Sequence, residues 1–357
     1  MTQNSKAEST THRLARSISG IALTLTFVVI LAGSIVRMTG SGMGCPDWPK
    51  CFGLLIPPTS LEEVVYNENR SYEPGQMVIM NDTLWVAQHA TQLGVWQRTD
   101  WLKYPHHDYA IFNPFHTWIE YINRLATVVY GIPVLLLLPL SWLIFRSTRN
   151  RKPILAAALI NVTVLYEAWL GKLVVDGVLE KGSVTLHMAG SLALIGFLTW
   201  YRFVLMAKSK SYGDVLPKMK WVMLLIWLLA LSQIFMGAQV REATDEIAMV
   251  QPDRGEWIAM MPDIFLIHRS MSWLLLIVAL SASVVTYRSC KSWKGTGRVI
   301  VMVLISMLLG IALSEFKMPA FAQPLHLLSG ALLFYAATRN VLEYFRASPS
   351  VSRGAQV

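Results

Sequence analysis

The sequence has little charge. Only 15% of its 357 residues are Asp, Glu, Lys or Arg, and 54% are hydrophobic. A water-soluble domain carries about a quarter charged residues, so this composition excludes an ordinary soluble protein. The net charge of +9 does not indicate nucleic acid, because a surplus of Lys and Arg is typical of the cytoplasmic loops of membrane proteins. The composition predicts an all-α polytopic membrane protein.

Eight apolar blocks supply the predicted membrane spans. A block of roughly 20 residues crosses a hydrocarbon core of ~30 Å. The first block is followed by no obvious cleavage site, which favours a retained helix over a signal peptide. We place the spans at residues 18–36, 118–145, 154–175, 184–204, 221–240, 264–287, 299–313 and 324–337.

The basic residues predict the orientation. With the N-terminus inside, the inner segments hold most of the 31 Lys and Arg residues. The loop at 242–263, on the other side, is acidic. The positive-inside rule therefore places both termini in the cytoplasm. The N-terminal tail does not form a convincing transit peptide, which favours a bacterial cytoplasmic (inner) membrane.

Cysteine is scarce, yet two of the three cysteines lie six positions apart in "GCPDWPKC". Cys45 and Cys51 follow the first span and face the outside, where disulfides persist. Two interpretations stay open at this point. The pair forms a bridge that closes a short loop, or it is a redox-active pair that exchanges electrons or disulfides.

The two halves of the chain repeat each other. "AGSIVRMTGSG" matches "MGAQVREATDE", "YINRLATVV" matches "LIHRSMSWL", "WLGKLVV" matches "LLGIALS", and "TLHMAGSLAL" matches "PLHLLSGALL", in the same order. We therefore expect two four-helix bundles related by a pseudo-twofold axis along the membrane normal. The predicted domains are a cytoplasmic tail (1–17), an N-terminal bundle (18–206) with an outer loop (45–115), a linker (207–220), a C-terminal bundle (221–341) and a second tail (342–357).

The C-terminal half places two histidines at one depth. His268 in the sixth span and His326 in the eighth lie close to the outer end of their spans, at a depth of roughly 3–6 Å. A polar group inside a membrane costs about 2.5–3.5 kcal/mol and is a functional candidate. Small residues follow His326, and two imidazoles on facing helices suit a low-spin haem, with Arg269 available for a propionate. A copper or zinc site would need more ligands than the sequence offers.

The N-terminal half departs from this pattern. His187 aligns with His326, but Asn123 stands where the other half has His268, and Asn is a poor iron ligand. Arg124 aligns with Arg269. On the same helical face as Asn123 lie His116 and Glu120, by their spacing. We interpret one half as holding a haem firmly and the other as holding a similar molecule loosely, beside a carboxylate.

In these motifs the chain resembles a known family, the haem A synthases. These membrane enzymes oxidise a methyl group of haem O to a formyl group. The resemblance rests on "GSIVRMTGSGMGCPDWPKC", "WIEYINR", "TLHMAG", "MGAQVRE", "IHR" and "PLHLLSG", and it extends over nearly all eight spans.

The resemblance implies roles for the polar residues. A haem b would lie between His268 and His326, as the cofactor of the C-terminal bundle, and the N-terminal bundle would receive haem O. Glu120 matches the essential glutamate of the family. The histidine that usually follows it is replaced by Asn123, so His116, or no second ligand, would complete the coordination of haem O.

The resemblance also bears on the cysteines and on the partners. The Cys45–Cys51 pair matches the subset of the family that has one, which implies a disulfide. Haem O as substrate, haem A as product and membrane lipid are the implied partners, with haem O synthase and an unidentified electron acceptor as further candidates.

The outer segment at 52–114 is long for this family. Its Gly, Asn-Asp and aromatic pattern predicts a small hairpin module. Four aromatic residues (Tyr72, Trp85, Trp96 and Trp101) give it a faint resemblance to a compact carbohydrate-binding repeat. We favour a small cap over the substrate site.

The expected chemistry is successive oxidation of one methyl carbon. A first hydroxylation gives an alcohol, and a second gives a gem-diol that loses water to the aldehyde. Glu120 would accept a proton or stabilise a cationic centre, and the bis-His haem b would carry electrons away. Two alternatives remain: a di-haem electron-transfer protein, which Asn123 opposes, and a non-catalytic haem carrier or assembly factor, which would not need Glu120.

Overall fold

The computed structural model describes residues 10–91, 93–94, 96–106, 111–175, 182–206, 218–290 and 293–346. Within these ranges the chain forms eight α-helices. They are α1 Thr10–Thr39, α2 Pro114–Thr148, α3 Lys152–Val175, α4 Ser183–Leu205, α5 Met219–Val250, α6 Asp263–Cys290, α7 Lys294–Glu315 and α8 Ala322–Arg346. Most of the predicted linker at 207–220 and of the predicted tail at 342–357 lies outside the described residues.

The helices confirm the predicted class, an all-α polytopic membrane protein. Seven of them, α1 to α7, are long and apolar enough to cross a membrane. α8 falls below that measure because it carries polar and charged side chains along its length, among them His326, Asn340 and the ion pair of Arg339 with Glu343.

α5 extends further than the hydropathy pattern predicts. The apolar block ends at residue 240, whereas the helix continues to Val250. An ion pair between Arg241 and Asp245 (2.8 Å) joins successive turns there, and i,i+4 pairs of opposite charge stabilise a helix. The first part of the predicted loop at 242–263 is therefore helical.

The chain separates into two compact units. The first comprises Met1–Leu31, Tyr130–Tyr166 and Lys181–Val357, and the second comprises Ala32–Val129 and Glu167–Glu180.

Helices α5 to α8 form a four-helix bundle in the first unit. Each helix packs against the next, and α8 packs back against α5. Small side chains such as Ala230 on α5, Ala279 on α6 and Ala337 on α8 are completely or almost completely buried, which lets the helix backbones approach each other closely. This bundle carries the histidine pair.

α4 joins this bundle to the rest of the first unit. It packs on α5 and α8, and Leu192 and Ile195 of α4 share a buried cluster with Ala331 and Phe334 of α8. A second core contains the buried Tyr201, whose hydroxyl lies 2.9 Å from that of Ser141.

The segment between α1 and α2 contains the predicted hairpin module. Three antiparallel strands, β1 Met77–Met80, β2 Thr83–Ala87 and β3 Trp101–Lys103, are ordered β1-β2-β3. Asn81 and Asp82 join β1 to β2, with φ of 49° and 53°. Two positive φ angles in a two-residue loop are typical of a type I′ turn, whose twist matches that of the two strands it joins. The prediction of a hairpin is confirmed.

Aromatic rings form one of the two small cores of this hairpin module. Tyr72 and Trp101 are buried, and Trp96 stacks on Trp101 with ring centroids 4.8 Å apart. The guanidinium of Arg98 lies 4.4 Å from the ring centroid of Trp85. A sugar-binding platform needs an open aromatic face, whereas these rings pack on one another or under an arginine. The aromatic pattern therefore reflects packing.

A substitution at Gly53 tests how the hairpin module is stabilised. Its φ is +75°, and a Cβ there would lie 2.1 Å from the carbonyl oxygen of Gly75. We expect Gly53→Ala to destabilise the hairpin module by about 1–3 kcal/mol, because a non-glycine residue is strained in this conformation. Limited proteolysis of the detergent-solubilised protein should then cut within residues 52–104 at a lower temperature. Gly42→Ala is the control, since open space surrounds Gly42. Equal resistance of the two variants would contradict the prediction.

Candidate functional site

Two histidines face each other inside the α5–α8 bundle. His268 lies on α6 and His326 on α8. Their ring centroids are 6.2 Å apart and the ring planes meet at 80°. An imidazole nitrogen binds a transition metal at roughly 2.0–2.1 Å, so two rings that share one metal ion have centroids about 6 Å apart. The structure brings the two side chains to the spacing of a shared metal.

The hydrogen bonds of His268 orient its ring. Its Nδ1 lies 3.1 Å from the carbonyl oxygen of Gln233 on α5, and Nε2 of Gln233 donates to the carbonyl oxygen of His268 at 2.8 Å. A carbonyl only accepts, so Nδ1 carries the hydrogen and Nε2 keeps its lone pair. Contacts of this kind fix the tautomer and the orientation of metal-binding histidines.

His326 is held through its backbone. Its carbonyl oxygen accepts a hydrogen bond from Oγ of Ser329 at 2.7 Å, and that hydroxyl lies 2.8 Å from Oγ of Ser306 on α7. The ring atom Nδ1 is buried, and the ring faces the backbone of Ser306.

Two glycines make room for the rings. A Cβ on Gly237 of α5 would lie 3.2 Å from Cε1 of His268, and a Cβ on Gly310 of α7 would lie 3.3 Å from Cε1 of His326. All four helices therefore contribute to the pair. These glycines lie within the repeated motifs "MGAQVRE" and "LLGIALS", but the motifs predict no role for them, because only the packing shows which residues lie beside each ring.

The arginines near this pair differ in their surroundings. Arg269, the predicted partner of a propionate, is exposed. Arg241, one turn beyond Gly237 on α5, donates to Oε1 of Gln323 and pairs with Asp245. Gln323 in turn lies one turn before His326. Arg241 was not among the predicted site residues.

Glu120 lies near the start of α2 in the second unit. The helix begins at Pro114, and Oδ1 of Asn113 accepts the amide of Phe115 at 3.0 Å, as a helix cap does. Glu120 is 4% exposed. Its Oε1 pairs with Nη2 of Arg124, and its Oε2 accepts the amide of Cys45 at 2.9 Å. The carboxylate is thus buried and partnered on both oxygens.

Arg124 holds the cysteine loop (residues 44–53) against α2. Its Nη1 donates to the carbonyl oxygens of Asp47 (2.6 Å) and Lys50 (2.8 Å). Its Nη2 donates to the carbonyl oxygen of Cys45 (3.4 Å) and to Glu120. Both hydrogens of each terminal nitrogen are therefore engaged, which leaves at most Nε–H for a haem carboxylate.

The cysteine loop approaches the helix closely. Cys45 and Cys51 form a disulfide, as predicted. Oγ1 of Thr117 donates to the carbonyl oxygen of Gly44 at 2.7 Å. A Cβ on Gly44 would lie 2.5 Å from the carbonyl carbon and oxygen of His116. Glycine is required at this position because the two backbones touch.

Asp47 carries a second carboxyl, in the cysteine loop, and this residue is half-buried. Its Oδ2 accepts the amide of Gly53 at 3.0 Å, while Oδ1 is buried without a partner in the described part of the chain. Burial raises the pKa of this carboxyl. Hydrogen bonds from the amides of Gly53 and Phe52 and the charge of Arg124 oppose that rise. Asp47 was missed at the sequence level, although it lies inside "GCPDWPKC".

The remaining predicted site residues lie on α2 and α4. His116 and Asn123 lie on α2, and both are half-buried. Oδ1 of Asn123 is buried without a partner among the described residues, and a Cβ on Gly33 of α1 would lie 3.8 Å from it. His187 lies on α4 in the first unit and is half-buried.

The Arg124 contacts generate a prediction. Removing one partner of a buried ion pair costs about 3–5 kcal/mol, so Arg124→Gln should lower the melting temperature and loosen the cysteine loop. Dithiothreitol should then reduce the disulfide faster than in the unmodified protein. Arg70→Gln is the matched control, since Arg70 is exposed and its Nη1 donates to the carbonyl oxygen of Glu63. Unchanged reduction in Arg124→Gln would show that this side chain does not hold the loop.

Comparisons with known proteins identify the family of the chain. The family model named COX15-CtaA, described as cytochrome oxidase assembly protein, matches residues 16–91 and 94–338. A heme A synthase of Novosphingobium aromaticivorans is 24% identical over 353 residues, with 91% of this chain and 93% of that protein covered. A heme A synthase of Shouchella clausii is 23% identical over 315 residues, 84% of each chain.

A third relative matches a shorter stretch. The heme A synthase of Shewanella oneidensis is 28% identical over 178 residues, which cover 50% of this chain and 42% of that protein. The family model nevertheless covers far more than half of the sequence. The chain therefore belongs to the COX15-CtaA family of cytochrome oxidase assembly proteins.

Proposed function

We propose that this protein is a haem A synthase that oxidises a methyl group of haem O to the formyl group of haem A, with a haem b held by His268 and His326 as its cofactor. The observation that carries the proposal is the facing pair of imidazoles, with ring centroids 6.2 Å apart. Relatives named heme A synthase support the choice of reaction.

The residues around the pair fit a haem. The Nδ1 hydrogen bond of His268 leaves Nε2 as the iron ligand, and neutral imidazole is the form that binds iron. Gly237 and Gly310 keep the space behind both rings free of side chains. A haem b held by both histidines would supply one-electron transfer.

The second site suits the substrate. We assign haem O to the face of α2 that carries His116, Glu120 and Asn123. The assignment of His187 as an iron ligand of haem O rests on its alignment with His326. Arg124 serves mainly to hold Glu120 in place, because its terminal nitrogens are already engaged.

Glu120 handles the protons of the reaction. Each hydroxylation replaces a C–H bond of the methyl group by a C–O bond to the oxygen of a water molecule. Two electrons leave to an external electron acceptor, and the water releases one of its hydrogens to the solvent as a proton. The hydrogen of the C–H bond departs as a proton, and the Glu120 carboxylate accepts it. The second hydroxylation yields a gem-diol, which loses water to give the formyl group. The salt bridge and the amide of Cys45 keep the carboxylate in position.

The distribution of basic residues supports an orientation in the membrane. We propose a bacterial cytoplasmic membrane with both termini inside, because most of the basic residues lie on the segments assigned to that side. The cysteine loop and the hairpin module would then face outward, where a disulfide persists.

Glu120→Ala tests the reaction. The chain is expressed with a haem O synthase in a host that makes no haem A. The extracted haems are separated by chromatography and identified by mass spectrometry. We expect haem A and the intermediate alcohol from the unmodified chain. From Glu120→Ala we expect at least a hundredfold less product, with haem b still bound. Glu62→Ala, an exposed glutamate, is the control. Haem O left untouched by the unmodified chain would favour an electron-transfer protein or a carrier.

The ligands of haem b are tested separately. His268→Ala and His326→Ala should each lose the bis-histidine absorption spectrum of the purified protein, because each removes one axial ligand. His89→Ala should keep it, since His89 is an exposed residue of the hairpin module. A normal spectrum in both bundle variants would rule out this pair as the ligands.

A further inference from the structure

The first turn of α4 has no capping side chain of its own. The residue before the helix is Gly182, with φ of +90° and no side-chain cap. The carbonyl oxygen of Gly182 accepts the amide of Leu186 at 2.9 Å. The helical hydrogen bonds therefore begin there, and the amides of residues 183 to 185 have no acceptor within α4.

Glu242 of α5 supplies an acceptor. Its Oε1 accepts the amide of Thr185 at 3.3 Å and the hydroxyl of Thr185 at 3.2 Å. Both residues are half-buried, and both belong to the first unit, where α4 packs on α5. A carboxylate in the first turn of a helix satisfies an orphan amide and is favoured by the helix dipole. Glu242 therefore caps α4 from a neighbouring helix.

The opposite end of α4 is capped by a cation. Nη1 and Nη2 of Arg346 on α8 donate to the carbonyl oxygens of Phe203 and Met206, both at 3.1 Å. A negative group at the first turn and a positive group at the last turn both match the helix dipole. The α5–α8 bundle thus holds α4 at both ends.

The two caps lie at very different distances from His187. Thr185 is two residues before His187, so the capped turn is the one from which the His187 ring projects. If this turn frays, the backbone that carries the ring loses its position. Phe203 is about 24 Å further along the helix axis. Only the Glu242 cap is close enough to set the orientation of His187.

The helix that carries Glu242 also contacts the histidine pair. Gln233 and Gly237 of α5 lie against His268, and Glu242 follows them on the same helix, as the last residue of "MGAQVRE". α5 therefore touches one histidine of the proposed haem b site and caps the helix that carries His187.

We propose that Glu242 is a positioning residue for haem O, which holds the first turn of α4 so that His187 is placed to bind the iron of haem O. This inference rests on the proposed function. Without the cap, only a fraction of the molecules has an intact turn, and the apparent affinity for haem O falls by that fraction. Loss of a helix cap corresponds to a change of about fivefold in such an equilibrium.

Hydrogen–deuterium exchange of the purified full chain tests the cap in the absence of haem O. Glu242→Ala should speed exchange of the amides of residues 185–187 about fivefold, whereas Glu242→Gln keeps an acceptor oxygen and should stay close to the unmodified protein. Arg346→Gln is the matched control, because it removes the other cap of the same helix and should speed exchange only at the C-terminal end of α4. Unchanged exchange in Glu242→Ala, or exchange in Glu242→Gln as fast as in Glu242→Ala, would overturn the proposal.

Titration of the same proteins with haem O, without an electron acceptor and followed by absorption, tests the link to His187. Glu242→Ala should bind haem O about fivefold more weakly, with an unchanged haem b spectrum, while Arg346→Gln should bind it normally. In a His187→Ala background, Glu242→Ala should cause no further loss, because the side chain that it positions is gone. Additive losses in the double variant would refute the positioning role.

The outcomes separate this inference from the function on which it rests. Normal haem O binding by His187→Ala would contradict the proposed role of His187 itself. Weak binding by His187→Ala together with normal binding by Glu242→Ala would contradict the inference alone. If Glu242→Ala does not fold, Thr185→Val removes one of the two hydrogen bonds to Glu242 and should weaken haem O binding about threefold. An unaltered affinity of Thr185→Val would then count against the cap.

Discussion

The ion pair of Glu120 with Arg124 is the interaction on which the second unit depends. A buried charge is tolerated when it is paired and its hydrogen bonds are satisfied. The guanidinium satisfies this condition with three carbonyl oxygens of the cysteine loop as well as with the carboxylate. The same loop returns the amide of Cys45 to Glu120. Helix and loop therefore complete each other's hydrogen bonds, and neither arrangement is satisfied without the other.

The histidine pair is built on a different principle. The ring of His268 contacts a backbone carbonyl, and a glycine lies beside each of the two rings. Neutral groups suit the interior of a membrane bundle because ionised ones cost several kcal/mol there. A carboxylate that exchanges protons needs compensation by a cation, whereas an imidazole that binds iron needs a lone pair and the correct orientation. The two sites differ as the chemistry proposed for each requires.

Much of the fold could be predicted from the sequence. Apolar runs long enough to cross a membrane located the helices, and Asn81-Asp82 between apolar segments indicated the hairpin. The predicted end of α5 was ten residues too early. Hydropathy falls at the polar residues from Arg241 onward, but it does not show the ion pair of Arg241 with Asp245 that stabilises the helix there. The repeat picked out His268 and His326. The roles of Gly237 and Asp47 could not be predicted, since a role set by packing or by backbone carbonyls leaves no pattern in the sequence.

The contacts of Cys45 bear on why a disulfide lies beside the carboxylate that we propose to be catalytic. Two interpretations were open, a structural bridge and a redox-active pair. The amide of Cys45 donates to Glu120, its carbonyl oxygen accepts from Arg124, and its Sγ lies 3.8 Å from the carbonyl oxygen of Thr117. Because the backbone of Cys45 itself positions the carboxylate, any change in the loop geometry reaches Glu120 directly. The structural interpretation thus accounts for the placement of the bond without electron exchange. It also explains why the loop is short, since a longer one could not bring three carbonyl groups to a single guanidinium at so low a cost in conformational entropy.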